Sequence, residues 1–164
     1  VNLRFYVKRG NERGVVFIRE IVPKPAISLV ANTLYNEQYR TRPIRYNKQK
    51  TPKGQRFEYR IRTGGSWQNI HFSVGAVADD IPAPDSLEHF FKEHNRGFGA
   101  TRSGKPLAYP VWHPYWKVYE NLEYDLSGAD FGALFGGKWT FLNHQAPYHA
   151  MAAVGSRIKV FDKD

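Results

Sequence analysis

The chain has 164 residues, of which 41% are hydrophobic and 24% charged, so it has the composition of a globular protein and not that of a disordered one. Cysteine is absent, which excludes disulfides and zinc–cysteine sites and favours a cytoplasmic location. No apolar run approaches the roughly 20 residues of a membrane span. We therefore expect a single cytoplasmic domain, residues 1–164, with no membrane role.

Period-two alternation predicts a strand at the start of the chain. Leu3, Phe5 and Val7 alternate with polar residues, which places these three side chains together on a buried face. A polar turn at 10–14 precedes a second β-rich run at 15–21. The two runs are therefore expected to pair as an antiparallel hairpin.

Two amphipathic helices are predicted further along. After Pro25, apolar residues at helical spacing give the first helix a stripe for burial; these are Ile27, Val30, Ala31, Leu34 and Tyr35. The second helix starts where Asp85 can act as N-cap, with Glu88 three residues on. Its expected buried stripe consists of Leu87, Phe90, Phe91 and His94.

A long hairpin between the helices carries most of the net charge of +9, because residues 40–62 hold nine basic side chains and one acidic side chain. Proline and glycine in the turn 51–54 suit a type I turn. That turn sets a register pairing Ile44 with Ile61, Tyr46 with Tyr59, and Lys48 with Phe57. The same register places Arg45 opposite Arg60, an unfavourable like-charge pair, so we expect an acidic group or a bound anion nearby.

The remaining segments complete a mostly-β pattern. They comprise a strand at 66–74, a glycine-punctuated loop at 96–104, β-rich stretches at 107–112 and 115–126, a glycine-rich connection at 128–137 and closing strands within 148–161. The fold class predicted is α+β, mostly β, with an antiparallel, curved or barrel-like sheet and two helices.

Short motifs in chain order resemble those of the YqjF-like family of uncharacterised bacterial proteins. They are the strand motif 1–7 with 14–17, the helix exit 31–39, the helix 86–90 and the His-Pro-x-Trp motif 113–116. The resemblance implies an acetoacetate-decarboxylase-like fold, in which a mainly antiparallel sheet wraps around an apolar cavity. It also implies strands before Val1, so we expect 1–164 to be the larger part of a longer domain.

The resemblance leaves enzymatic activity uncertain. The decarboxylase forms a Schiff base on a lysine just after the corresponding helix, whereas the matching stretch here, 35–44, contains Arg40 and Arg42 but no lysine. Arginine stays protonated and cannot form that adduct. Lys48 and Lys117 are the candidates to replace the Schiff-base lysine, and both are better explained as solvent-facing side chains.

The function favoured is binding of a small apolar or carboxylate-bearing molecule in the barrel interior, because of the resemblance and the 15% aromatic content. The candidate ligand-binding residues are Arg4, Tyr6, Tyr39, His113 and Trp116. Arg4 would grip a ligand carboxylate in a bidentate fork if it faces inward. The alternatives are a decarboxylase-like enzyme of altered mechanism and a basic nucleic-acid-binding module. Nucleic acid is disfavoured because the hairpin aromatics lie on the face opposite the arginines.

The six histidines do not form a metal motif. His89 and His94 are five residues apart, which separates them around a helix, and His113 and His144 could meet only through the fold. We expect neither a metal site nor a cofactor, and we leave a homo-oligomer open. The sequence names no ligand and no reaction.

Overall fold

The computed structural model describes residues 1–34, 36–101 and 103–161. Along the chain the strands are β1 (Asn2–Arg9), β2 (Glu12–Val22), β3 (Tyr39–Thr41), β4 (Ile44–Thr51), β5 (Gly54–Thr63), β6 (Ser66–Val74), β7 (Arg96–Ala100), β8 (Pro106–Trp112), β9 (Glu123–Asp125) and β10 (Lys159–Val160). The helices are α1 (Pro25–Leu34), α2 (Leu87–Lys92), α3 (Phe131–Phe135) and a 3₁₀ helix (Gly137–His144). The protein is therefore α+β and mostly β, as predicted.

The chain divides into two structural units. The first unit comprises Val1–Thr41, His89–Tyr115 and Ser156–Asp164, and the second comprises Arg42–Glu88 and Trp116–Gly155. Each unit contains its own sheet. In the part of the chain that the structure describes, neither sheet closes into the expected barrel.

The sheet of the first unit is mixed, although the sequence led us to expect antiparallel pairing. β1 and β2 form the predicted antiparallel hairpin. One edge of β2 also pairs in parallel with β7 near its start and with β3 near its end. β7, β8 and β10 then continue the sheet with antiparallel pairs.

The segment predicted as a loop at 96–104 contains β7, so that prediction is wrong. Gly97 lies opposite Tyr109 of β8, and a Cβ atom on Gly97 would overlap the Tyr109 ring. A Cβ atom on Gly99 would lie 3.9 Å from Glu37. Gly97 therefore allows close packing of Tyr109 across the strand pair instead of turning the chain.

Helix α1 begins at Pro25 as predicted, but its apolar stripe is not buried. Ile27, Val30 and Leu34 are 45%, 50% and 58% exposed. The buried residue of the helix is Ser28, whose hydroxyl lies 2.8 Å from the hydroxyl of Thr41 on β3. The fifth member of the stripe, Tyr35, lies outside the described residues.

The second unit confirms the predicted hairpin register in full, including the pairing of Arg45 with Arg60. Its antiparallel sheet has the order β4-β5-β6-β9. One face buries Phe57, Ile61 and Val74, and the other carries the arginines.

Several local predictions for the rest of the chain are wrong. The glycine-rich connection contains α3, whose N-cap is the carboxylate of Asp130. The stretch 115–126 forms only the short β9 and two isolated bridges. On β1 the expected inward residue Phe5 is 47% exposed, whereas Arg4 and Tyr6 are half-buried, as are Leu3 and Val7.

Replacing Gly97 by alanine is expected to destabilise the protein by about 1–3 kcal/mol, because the new methyl group must displace the Tyr109 ring. Gly99→Ala on the same strand and face is the matched control, since its Cβ would make only an ordinary contact. Urea unfolding of both variants measures the difference. Equal stability losses would show that the close approach at Gly97 has no special role.

Candidate functional site

A pocket of about 390 Å³ lies beside α1 in the first unit. It is lined by Ala26, Ile27, Val30, Ala31, Glu37, Tyr39, Tyr109 and Val160. Three residues of the α1 stripe that was expected to pack in a core, Ile27, Val30 and Ala31, instead line this pocket. A volume of this size falls within the range of small-molecule sites.

The polar end of the pocket is built by Glu37 and Tyr109. The Tyr109 hydroxyl donates a hydrogen bond to Glu37 Oε1 at 2.7 Å, and Tyr109 is only 5% exposed. Burial raises the pKa of Glu37, the nearby Glu20 carboxylate adds to the rise, and the Tyr109 hydrogen bond opposes it. Burial also raises the pKa of Tyr109. Both groups are thus biased towards their uncharged forms.

A polar row crosses the sheet next to this pocket. Glu20 on β2 pairs with Asn2 on β1 and with Tyr39 on β3, so the three side chains share one face. Burial raises the pKa of Glu20, while hydrogen bonds from Tyr39 and Asn2 oppose the rise. Glu20 Oε2 is buried without a hydrogen-bond partner among residues 1–34, 36–101 and 103–161. The pKa of Tyr39 is raised chiefly by burial.

Arg4 and Tyr6 lie together on β1. Arg4 Nη2 donates to the Phe91 carbonyl at 2.8 Å and to the Tyr6 hydroxyl at 3.0 Å, and Tyr6 donates to the same carbonyl at 3.2 Å. The Tyr6 ring also lies 4.8 Å from the ring of His94. Arg4 is half-buried, and one nitrogen of its guanidinium group donates hydrogen bonds to both a backbone oxygen and a phenol oxygen.

His113 belongs to a buried charged cluster just after β8. Lys92, whose side chain is 1% exposed, forms an ion pair with Glu93 Oε1. Glu93 Oε2 lies 3.9 Å from His113 Nδ1, and the same nitrogen lies 2.9 Å from the Pro114 carbonyl. Glu93 therefore lies between the Lys92 and His113 side chains, and His113 is not among the described lining residues of the pocket.

The structure thus brings together only some of the five predicted site residues. Arg4 and Tyr6 contact each other, Tyr39 lines the pocket, and His113 joins the Lys92 cluster. Trp116 is half-buried in the second unit.

Sequence reasoning missed Glu37, Tyr109 and Lys92. Lys92 follows two phenylalanines in a predicted helix and precedes Glu93. A lysine beside apolar residues and next to a glutamate is the sequence feature that could have indicated a buried ion pair. Glu37 and Tyr109 are 72 residues apart, and no local pattern joins them.

The described residues contain no group of three or more acidic or histidine side chains that could hold a metal ion. Among the same residues, no helix has the length and apolar character needed to cross a membrane.

Comparison with known proteins gives a family without an assigned activity. The family model DUF2071, described as an uncharacterised conserved protein, matches residues 1–156. No curated protein matches the chain.

Glu37→Gln is expected to make the protein more stable than the wild type at neutral pH, with a flatter pH dependence. The folded-state pKa of Glu37 is raised above 4.5, so the folded protein holds more protons and the free energy of unfolding falls as pH rises through that window. Glutamine cannot ionise, and its carbonyl still accepts from Tyr109. Urea unfolding between pH 4.5 and 8 tests this, with exposed Glu123→Gln as control. A parallel pH profile for wild type and Glu37→Gln would contradict the assignment.

Glu93→Gln should destabilise the protein by about 3–5 kcal/mol, because it leaves the buried Lys92 ammonium without its charge partner. The double variant Lys92→Met, Glu93→Gln removes both charges and should recover most of the loss. Chemical denaturation of the single and double variants gives the comparison. A single variant as stable as the wild type would mean that the pair contributes little.

Proposed function

The chain belongs to the DUF2071 family of uncharacterised conserved proteins, and we propose that its first structural unit binds a small, largely apolar molecule in the pocket beside α1. The ligand has one uncharged polar end. The proposal concerns binding and assigns no reaction.

The exposed apolar wall formed by α1 carries the proposal. Ile27 and Val30 are 45% and 50% exposed, although their helical spacing is that of a core-facing stripe. They line a cavity whose wall also includes Val160 and Tyr109. Contiguous apolar surface that is left open around a cavity is typical of a ligand-binding site.

The polar end of the pocket favours an uncharged group on the ligand. Glu37, Tyr39 and Tyr109 are the polar lining residues, and burial raises the pKa of each. The described lining contains no basic side chain. A ligand carboxylate would therefore meet acidic groups without a countercharge, whereas an alcohol or amide could exchange hydrogen bonds with them.

A carboxylate-bearing ligand, the other form considered from the sequence, would depend on Arg4. To offer a bidentate fork, the Arg4 guanidinium would have to share or give up its bonds to the Phe91 carbonyl and the Tyr6 hydroxyl. This makes the uncharged ligand the better fit.

The resemblance to the acetoacetate-decarboxylase-like superfamily supports an apolar binding site more than it supports decarboxylation through a Schiff base. Schiff-base formation needs an amine in the cavity. The described lining of this pocket contains no lysine. The two candidate lysines, Lys48 and Lys117, are both exposed. The Lys48 ammonium lies 5.4 Å from the centre of the Phe57 ring in the second unit. Borohydride trapping with a keto acid tests the decarboxylase alternative, and a lysine adduct would favour it over simple binding.

Three naphthalene probes that differ only in the end group test the proposal: 2-naphthalenemethanol, its methylammonium counterpart and 2-naphthoate. The neutral alcohol should bind best in a fluorescence titration at pH 7, and 2-naphthoate should bind worst because its carboxylate would be buried without a basic partner in the described lining. Val30→Gln should weaken alcohol binding by about fivefold or more, because it places an amide in the apolar wall.

Leu29→Gln is the matched control for this experiment. Leu29 is the preceding residue of the same helix, is 66% exposed and is not among the described lining residues. Binding that both substitutions weaken equally, or that favours 2-naphthoate, would contradict the proposed site.

A further inference from the structure

We propose that a second site, independent of the apolar pocket, lies in the second unit, where Arg45 and Arg60 bind a phosphate group beside Trp67. The ligand class is a phosphate monoester or free phosphate, carrying close to two negative charges at neutral pH.

The three side chains lie on one face of the sheet. Arg45 on β4 is directly opposite Arg60 on β5, and both guanidinium groups lie over the indole of Trp67 on β6, at 4.7 Å and 5.3 Å from the ring centroid. Arg62 is the cross-strand partner of Trp67 and adds a third positive charge on this face. The indole therefore holds two cations close together on a rigid antiparallel sheet.

Within the part of the chain that the structure describes, no carboxylate forms an ion pair with Arg45 or Arg60. Glu58 shares their face without forming such a pair. Like charges directly opposite each other destabilise a strand pair, and a cation–π contact on a partly exposed ring offsets only part of that cost. An external anion would supply the missing charge.

A phosphate group fits this arrangement better than a carboxylate. Each guanidinium fork binds two oxygens, so two forks can bind the three terminal oxygens of a phosphate monoester by sharing one of them, whereas a carboxylate has only two oxygens in all. The phosphate charge of nearly two also matches the two arginines, whereas a carboxylate would leave one positive charge over.

Titration with inorganic phosphate at fixed ionic strength and pH 7.5 tests the site, with the indole Nε1–H resonance of Trp67 as the readout, assigned through Trp67→Phe. A saturable shift of this resonance is expected. Arg60→Gln and Arg45→Gln should each weaken binding about tenfold, and Arg60→Lys, which keeps the charge but loses the fork, should also weaken it.

Arg56→Gln is the matched control, because Arg56 lies on the same face of the same strand about 13 Å from Arg60. It should leave phosphate affinity within about twofold. Urea unfolding confirms that each variant is folded, and the arginine-to-glutamine changes at the pair should not destabilise the phosphate-free protein because they remove a repulsion.

Three outcomes would overturn the site. They are no saturable shift with phosphate, equal weakening by Arg56→Gln and Arg60→Gln, or acetate binding as tightly as phosphate. A twelve-residue oligothymidylate serves as a further arm, since a nucleic-acid strand would contact the whole basic face. If it binds and is weakened equally by both variants, an extended polyanion surface replaces the phosphate site.

Discussion

The contact between the Tyr109 ring and the bare backbone of Gly97 organises the first unit. It allows β8 to bring a large side chain flat against β7, so that the Tyr109 hydroxyl reaches Glu37 in the connection between α1 and β3. Tyr109 and Glu37 both line the cavity beside α1. The residue that packs against Gly97 across the strand pair therefore also contributes to the wall of the pocket.

Burial of acidic groups near that contact sets the chemistry of the pocket. Glu20 and Glu37 lie on the same side of the sheet as Tyr39 and Tyr109, and each carboxyl raises the pKa of neighbouring groups in addition to the effect of burial. A charged carboxylate in such surroundings is costly, so hydrogen bonding to phenols is the available compensation. The result is a patch of polar side chains biased towards their uncharged forms, which under the proposed function would favour an uncharged group on the ligand.

In the second unit, the charged side chains at issue are basic and lie on one face of the sheet. The sheet separates an aromatic face, where Phe57 stacks on Phe72 at 4.7 Å, from a face rich in arginine. The hairpin register places Arg45 opposite Arg60, and both guanidinium groups lie over the indole of Trp67. Among the described residues neither arginine has an acidic partner, whereas in the first unit it is carboxyl groups that are partly buried.

Local features of the sequence determined the hairpins, the start of α1 at Pro25 and the exact register around the turn 51–54, because alternation and turn chemistry act over a few residues. The family resemblance suggested Tyr39 as a ligand-binding residue, and Tyr39 lines the pocket. The local features predicted a loop where β7 lies, since the role of Gly97 depends on a tyrosine twelve residues later. They also predicted a buried stripe on α1, since helical spacing does not reveal what the helix faces. Only the tertiary structure joined Glu37 to Tyr109 and His113 to Glu93, because such pairs arise from chain segments that approach through packing and leave no periodic trace in the sequence.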